Sequence, residues 1–249
     1  MSLRVGEISF INFIPLAGGS EYPFGCEIFR AAPSELNAAC RRGALDASPI
    51  SFYAYPDIEA DYALLPGFCI ASDGDVMSVR LFSRFDISEL AGRRVYLTPD
   101  SESSVGALAA VCRRRFGYDP RDFACPDPAA ADAVFLIGDR ALSFAGNFPR
   151  VYDLGGLWRE TFGIPMVFSG IVVRRSVYGE VADALSARYA ANLAGFYSDR
   201  GRWCAIAAGR VASPAFSAAD ADEYYRRLTF TISDSAFAEC RRILHGKAD

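Results

Sequence analysis

At 249 residues the chain is long enough for one large domain or two lobes of ordinary size, and 51% hydrophobic residues with a mean hydropathy of +0.13 supply a substantial core. A net charge of −4 and a pI near 5.2 leave no basic footprint for a nucleic-acid partner. No uninterrupted apolar run reaches the roughly eighteen residues of a membrane span, so no membrane partner is expected either.

In chain order, Leu3 to Ile8 reads as a short strand with no basic, then apolar, leader before it, which predicts a cytoplasmic protein. The loop SFINFIPLAGG follows, with Asn12 a polar residue among Phe10, Ile11, Phe13 and Ile14. Such an asparagine either satisfies nearby backbone groups or offers its amide to a ligand. Ser34 is placed to cap a helix that runs to about Arg42 and stops at Gly43. Residues 44–50 read as a strand entering a serine-flanked turn, Ser48-Pro49-Ile50-Ser51, and residues 62–65 as another strand.

The stretch from Ser72 to Arg84, SDGDVMSVRLFSR, opens with the turn Asp73-Gly74 and then alternates Met77, Val79 and Leu81 with Ser78, Arg80 and Phe82. Period-2 alternation predicts a strand, with Ser78 and Arg80 on one face. A hydroxyl and a guanidinium fork side by side can hold a carboxylate; the competing reading is a solvated edge.

Residues 94–98 read as a strand and Pro99-Asp100 as a turn. The amphipathic helix of about 101–116 has Val105, Leu108, Ala109, Cys112 and Phe116 at helical spacing and Gly117 as its stop. Thr98, Ser101, Ser103 and Ser104 crowd its N-terminus. One hydroxyl caps the helix; the others either do the same or join the free backbone N–H groups in binding an anion. Residues 133–137 form an apolar strand ending at Gly138-Asp139, Tyr152 to Gly155 reads as a turn, and Met166 to Arg174 as a long strand. The remainder is helical: about 179–198, one helix capped at Ser217, and one capped at Asp234 that ends before Gly246.

Alternating strands and helices predict sheets flanked by helices, an α/β fold. The alternation restarts near Asp86, which predicts two lobes: residues 1–85 and 175–249 in one, 86–174 in the other. The long strands near Ser78 and Met166 would serve as crossings. Ligands in such folds sit at the carboxyl ends of strands and at helix N-termini, where Asn12, Ser48, Ser51, Ser78, Ser103 and Gly138 converge.

The chain also lacks much chemistry. Its one histidine, His245, lies near the C-terminus, and there is no HExxH, CxxC, GxGxxG or P-loop. No metal and no cofactor are expected. Seven cysteines without CxxC pairing predict reduced thiols.

The stretches RVGEISFINFIPL, PSELNAACRRGALDASPIS, SDGDVMSVRLFSR, GRRVYLTPDSESSVGAL, FLIGDRAL and YDLGGLWRETFGIPMVF resemble the MqnA family, chorismate dehydratases of the futalosine route to menaquinone. They cover most of residues 4–168. The resemblance implies a two-lobed type 2 periplasmic-binding-protein-like fold with the ligand cleft between the lobes. It implies a lyase that dehydrates chorismate, a small dicarboxylate, to 3-[(1-carboxyvinyl)oxy]benzoate. Asn12 and Ser78 fall on the family's active-site positions. Ser103 and Ser104 would help hold a substrate carboxylate, with Ser48, Ser51, Arg80, Thr98 and Gly138 as further substrate-binding candidates. The base would be a carboxylate of the substrate itself. The chain departs from the family pattern at Ser9-Phe10, Phe52, Ala54, Arg80 and Ile171-Val172. A monomer or homodimer is expected. The alternative from another class is a cytosolic small-carboxylate binding or sensor protein of the same fold without catalysis. A third reading, the sister enzyme of the same pathway that works on a cyclised futalosine product, is disfavoured because that family's expected histidine is absent from this chain.

Overall fold

The computed structural model describes residues 2–245. The first part of the chain contributes β1 (Leu3–Ile8), α1 (Ile14–Ala17), β2 (Cys26–Ala31), α2 (Pro33–Arg41), β3 (Ala47–Ser51) and β4 (Tyr62–Ser72). The middle adds β5 (Val79–Ser83), β6 (Val95–Leu97), α3 (Glu102–Phe116), β7 (Ala133–Ile137), α4 (Gly138–Ser143), β8 (Arg150–Asp153) and α5 (Leu154–Phe162). Then follow β9 (Met166–Arg174), α6 (Tyr178–Ser198), α7 (Arg200–Ala208), α8 (Ala218–Arg227) and α9 (Asp234–Leu244). Gly246, expected to close the last helix, lies outside the described residues. No helix among the described residues is long and apolar enough to cross a membrane.

Two sheets form. The first has the order β2-β1-β3-β9-β4, with β2, β1 and β3 parallel and β9 antiparallel to both neighbours. The second has the order β6-β7-β5-β8, with β5 antiparallel to β7 and β8. The central strands are apolar throughout because both faces are covered: every residue from Met166 to Val173 and all of β7 are buried. One continuous apolar core joins both sheets and the C-terminal helices; a small second cluster around Phe82, Val134 and Leu136 covers the far face of the second sheet.

Sheet membership differs from expectation at two places. The strand near Ser78 is not a crossing: β5 belongs wholly to the second sheet, and β9 wholly to the first. The reason is local. Met77 adopts φ 63°, a left-handed conformation that breaks the extended run before β5 begins. The chain passes between sheets in residues 73–78 and returns after Gly163, whose φ of 73° ends α5. At the helix ends, α2 begins after Ala32, so Ser34 lies inside its first turn, and Ser233 rather than Asp234 caps α9. Ser217 caps α8 and Gly117 closes α3 as their residue types predict.

Asp153 holds the outbound crossing. Its carboxylate accepts the N–H groups of Val76 at 2.8 Å and Met77 at 2.7 Å while capping α5 through Gly155 N–H at 3.0 Å. Gly155 must be glycine, since a Cβ there would lie 2.2 Å from the Gly74 carbonyl oxygen. Burial pushes the Asp153 carboxyl up, and these amide donors work against that shift. Asp153→Ala strands three donors, two of them on a strained turn, at a cost of about 3 kcal/mol. The melting temperature, followed by calorimetry, should fall by about 10 °C; an unchanged value would show that the crossing is held by other contacts.

Candidate active site

Between the two sheets lies a cleft enclosing about 430 Å³, part of it open to solvent. The first sheet lines it with Ile8, Ile70, Phe168 and Ser169; the second contributes Val79 and Ile137, with Gly138 at the start of α4 just beyond β7. Phe10 and Asn12, from the turn after β1, face it, as do Ser78 at the entrance to β5 and Ser101 and Ser104 at the start of α3. Among the described residues, no Lys, Arg, Asp or Glu lines this cleft.

Asn12 presents a buried Oδ1 with no hydrogen-bond partner. An orphaned buried acceptor costs about 1–3 kcal/mol, so a donor from water or a ligand at this position would be favourable. The residue before it is held at both of its peptide groups. Ile11 N–H donates to Asp139 Oδ1 at 3.1 Å, and the Ile11 carbonyl accepts from Tyr225 OH at 2.8 Å.

Ser78 is 3% exposed. Its Oγ accepts a hydrogen bond from Tyr224 OH at 3.1 Å, and its carbonyl accepts from Gly138 N–H at 2.7 Å. Gly138 has φ 59° and sits under the Phe10 ring, where a Cβ would come within 2.7 Å of the ring atoms. Glycine at 138 therefore lets the end of the second sheet close on the first.

Ser101 caps α3, its Oγ accepting from Ser104 N–H at 3.3 Å and Ser104 Oγ–H at 3.2 Å. The remaining candidates lie elsewhere. Ser103 points away from the cleft and accepts from Tyr53 N–H at 2.8 Å. Thr98 donates to Asp100 at 3.0 Å in a shallow surface depression beside Tyr53 and Arg121. Ser48 is spent on the Pro49 carbonyl at 2.7 Å, and Ser51 is buried with its Oγ unpartnered but away from the cleft. Arg80 lies 3.8 Å from Asp153. The side-by-side Ser78–Arg80 clamp does not form, because the left-handed Met77 turns Ser78 out of the strand's alternation.

Four sequence candidates thus meet in one cleft: Asn12, Ser78, Ser104 and Gly138. Ser101, read as a cap or an anion contact, lines it as well, and so do Ser169, Phe10 and Phe168, which were not singled out as ligand contacts. Ser169 had a visible signal, as the lone hydroxyl in an otherwise apolar strand; it donates to the Ile50 carbonyl at 2.8 Å. Tyr224, Tyr225 and Asp139 had none, since their relation to the cleft exists only in three dimensions.

The family model described as menaquinone biosynthesis matches residues 3–245. A curated relative, the chorismate dehydratase of Thermus thermophilus, is 32% identical over 171 residues, 61% of this chain and 62% of that protein, so the match spans less than two thirds of the relative's length. Among solved structures, a protein from Archaeoglobus fulgidus superposes with a TM-score of 0.76 at 15% identity, covering 99% of this chain and 97% of that one. The periplasmic aliphatic sulphonate binding protein SsuA from Escherichia coli gives 0.65 at 17% identity, covering 98% and 85%. A Candida albicans protein described as having the generic periplasmic binding protein fold gives 0.66 at 12%, covering 98% and 89%. At these identities the structural matches establish the fold, a two-lobed periplasmic-binding-protein-like architecture.

Burial pushes the Asp139 carboxyl from its ordinary 3.8 up to about 6, with Ile11 N–H and the positive charge of Arg210 pulling the other way. An acid whose folded pKa is raised destabilises the fold once ionised. The penalty is absent below pH about 4, grows as pH rises to 6, and is complete above it. Asp139→Asn keeps an acceptor for Ile11 N–H and removes the charge. Its melting temperature should exceed the parent's by several degrees at pH 7.5, and the gain should vanish near pH 4. An equal gain at both pH values would rule out ionisation of Asp139 as the cause.

Proposed function

Because the chain belongs to the menaquinone biosynthesis family, we propose that it is a lyase that dehydrates chorismate to 3-[(1-carboxyvinyl)oxy]benzoate. The observation that carries this reading is the unpartnered Asn12 Oδ1 in one cleft with Ser78 and the hydroxyl-rich start of α3. The name of the Thermus thermophilus relative supports the same substrate.

In this reaction the ring hydroxyl leaves with the proton of the adjacent ether-bearing carbon, one water is released and the ring becomes aromatic. The drive is in the substrate. The enzyme has to hold a dianion, orient the departing groups and stabilise the charge that develops. Ser101, whose Oγ accepts from Ser104 and so keeps its own proton, is suited to one carboxylate at the positive end of α3. Asn12 Oδ1 is an acceptor and Ser78 a donor for the leaving hydroxyl. No acidic side chain lines the cleft among the described residues, which favours a carboxylate of the substrate as the base. Of the departures from the family pattern, Phe52, Ala54 and Ile171 are buried core positions that, like Arg80, do not line the cleft, whereas Phe10 does.

Seven free cysteines, five of them buried, suit a reducing compartment, so we place the enzyme in the cytoplasm.

Incubation of the purified protein with chorismate should replace the diene absorbance by that of an aromatic product one water lighter by mass. Asn12→Ala should lower kcat about 100-fold with KM within about threefold, the mark of an interaction made in the transition state. Loss of thermal stability with kcat per folded molecule intact would instead make Asn12 a structural loop residue.

A further inference from the structure

Two adjacent tyrosines on α8 reach the two segments that carry the proposed catalytic side chains. Successive helical residues diverge by about 100° around the axis, so neighbours on a helix point to different partners. Tyr224 OH donates to Ser78 Oγ at 3.1 Å, and Tyr225 OH donates to the Ile11 carbonyl at 2.8 Å. Both rings are buried, at 0% and 3% exposure. They pack on each other with centroids 5.4 Å apart, and Tyr225 packs edge-on against Phe196 at 5.0 Å. The helix is itself tied to the outbound crossing: Arg227 pairs with Asp75 at 3.4 Å, and Leu228, just beyond its end, lines the cleft.

We propose that Tyr224 and Tyr225 are positioning residues for the dehydration: Tyr224 fixes the orientation of the Ser78 hydroxyl, and Tyr225, opposite Asp139, fixes the peptide from which Asn12 projects.

The hydrogen-bond directions give each tyrosine a distinct effect. Because Ser78 Oγ accepts from Tyr224, its own proton is left for the ligand, and Ser78 faces the cleft as a donor. Burial raises both phenols above their ordinary pKa, so they stay protonated and remain donors at any physiological pH. Ile11 is held at both of its peptide groups, at its N–H by Asp139 and at its carbonyl, in the peptide to Asn12, by Tyr225, which leaves the following residue little freedom to turn. Ser78 is held likewise, by Tyr224 at its side chain and Gly138 at its carbonyl. One helix and one strand–helix junction thus grip both positions from opposite sides.

This inference rests on the dehydratase reading, and its test separates the two. Tyr224→Phe and Tyr225→Phe remove only the hydroxyls. Each should lower kcat for chorismate about 10- to 100-fold, with KM within about threefold. Tyr118→Phe is the control. Tyr118 is also buried and its OH donates to a backbone carbonyl, that of Ile87, at 2.6 Å, but it does not line the cleft. That variant should lose a similar few degrees of melting temperature with kcat unchanged. If Tyr224→Phe and Tyr225→Phe behave like Tyr118→Phe, the hydroxyls merely satisfy buried groups and the proposal fails. If the parent protein leaves chorismate untouched, the dehydratase reading fails, and positioning is then read from crystal structures of the two variants. A rotated Ser78 side chain in Tyr224→Phe and a displaced Asn12 in Tyr225→Phe would uphold it; unmoved side chains would overturn it.

Discussion

A single carboxylate, that of Asp153, determines where the chain leaves its first sheet and enters its second. By accepting from Val76 and Met77 it holds a non-glycine residue in a left-handed conformation that would otherwise relax. The same carboxylate starts α5, so the outbound crossing and the last helix before the return crossing share one anchor. Ser78 comes directly after the strained residue. Its aim into the cleft is a consequence of that turn and not of strand alternation.

On the proposed reading, the cleft would hold an anionic ligand with no charged side chain lining it among the described residues. Affinity then comes from neutral donors, hydroxyls and helix amides, whose strength depends on excluding water. Such a site has little long-range attraction to offer. It gains correspondingly in precision, because each donor is held by a second group: Ser101 by Ser104, Ser78 by Tyr224. The charged side chains near it, Asp139 and Asp153, are turned toward backbone amides and serve the scaffold.

Most of the fold was legible where one physical signal dominated. β7 and β9 are largely apolar runs between turn residues, α3 carries both its cap and its glycine stop, and α8 carries its cap. β2 was not legible, because it is an edge strand with four exposed residues, CEIFRA, and shows no alternation. The sequence YDLGG reads as a turn, yet it is the end of β8 and the start of α5. Its glycines are there for packing: a Cβ on Gly155 or Gly156 would lie 2.2 Å from Gly74 or Asp75. Within the site, Asn12 and Ser78 stood out as polar residues at strand ends. Ser48, Ser51 and Ser103 looked equivalent to Ser78, and only the tertiary structure shows that Ser48 and Ser103 bond to backbone and that Ser51 lies away from the cleft. Arg80 misled because alternation was extended through a residue that is not in the strand.

The contact between Phe10 and Gly138 bears on how the sequence can drift. With the Phe10 ring 2.7 Å from where a Cβ would stand, position 138 is closed to every other residue while the ring is there, and its φ of 59° disfavours them afterwards. Position 10 is under no such restriction. A smaller or differently shaped side chain there would fit over the glycine and alter one wall of the cleft at little cost to the fold. Among relatives of this chain, variation should therefore accumulate at position 10 ahead of position 138, and changes in ligand shape should be found there first.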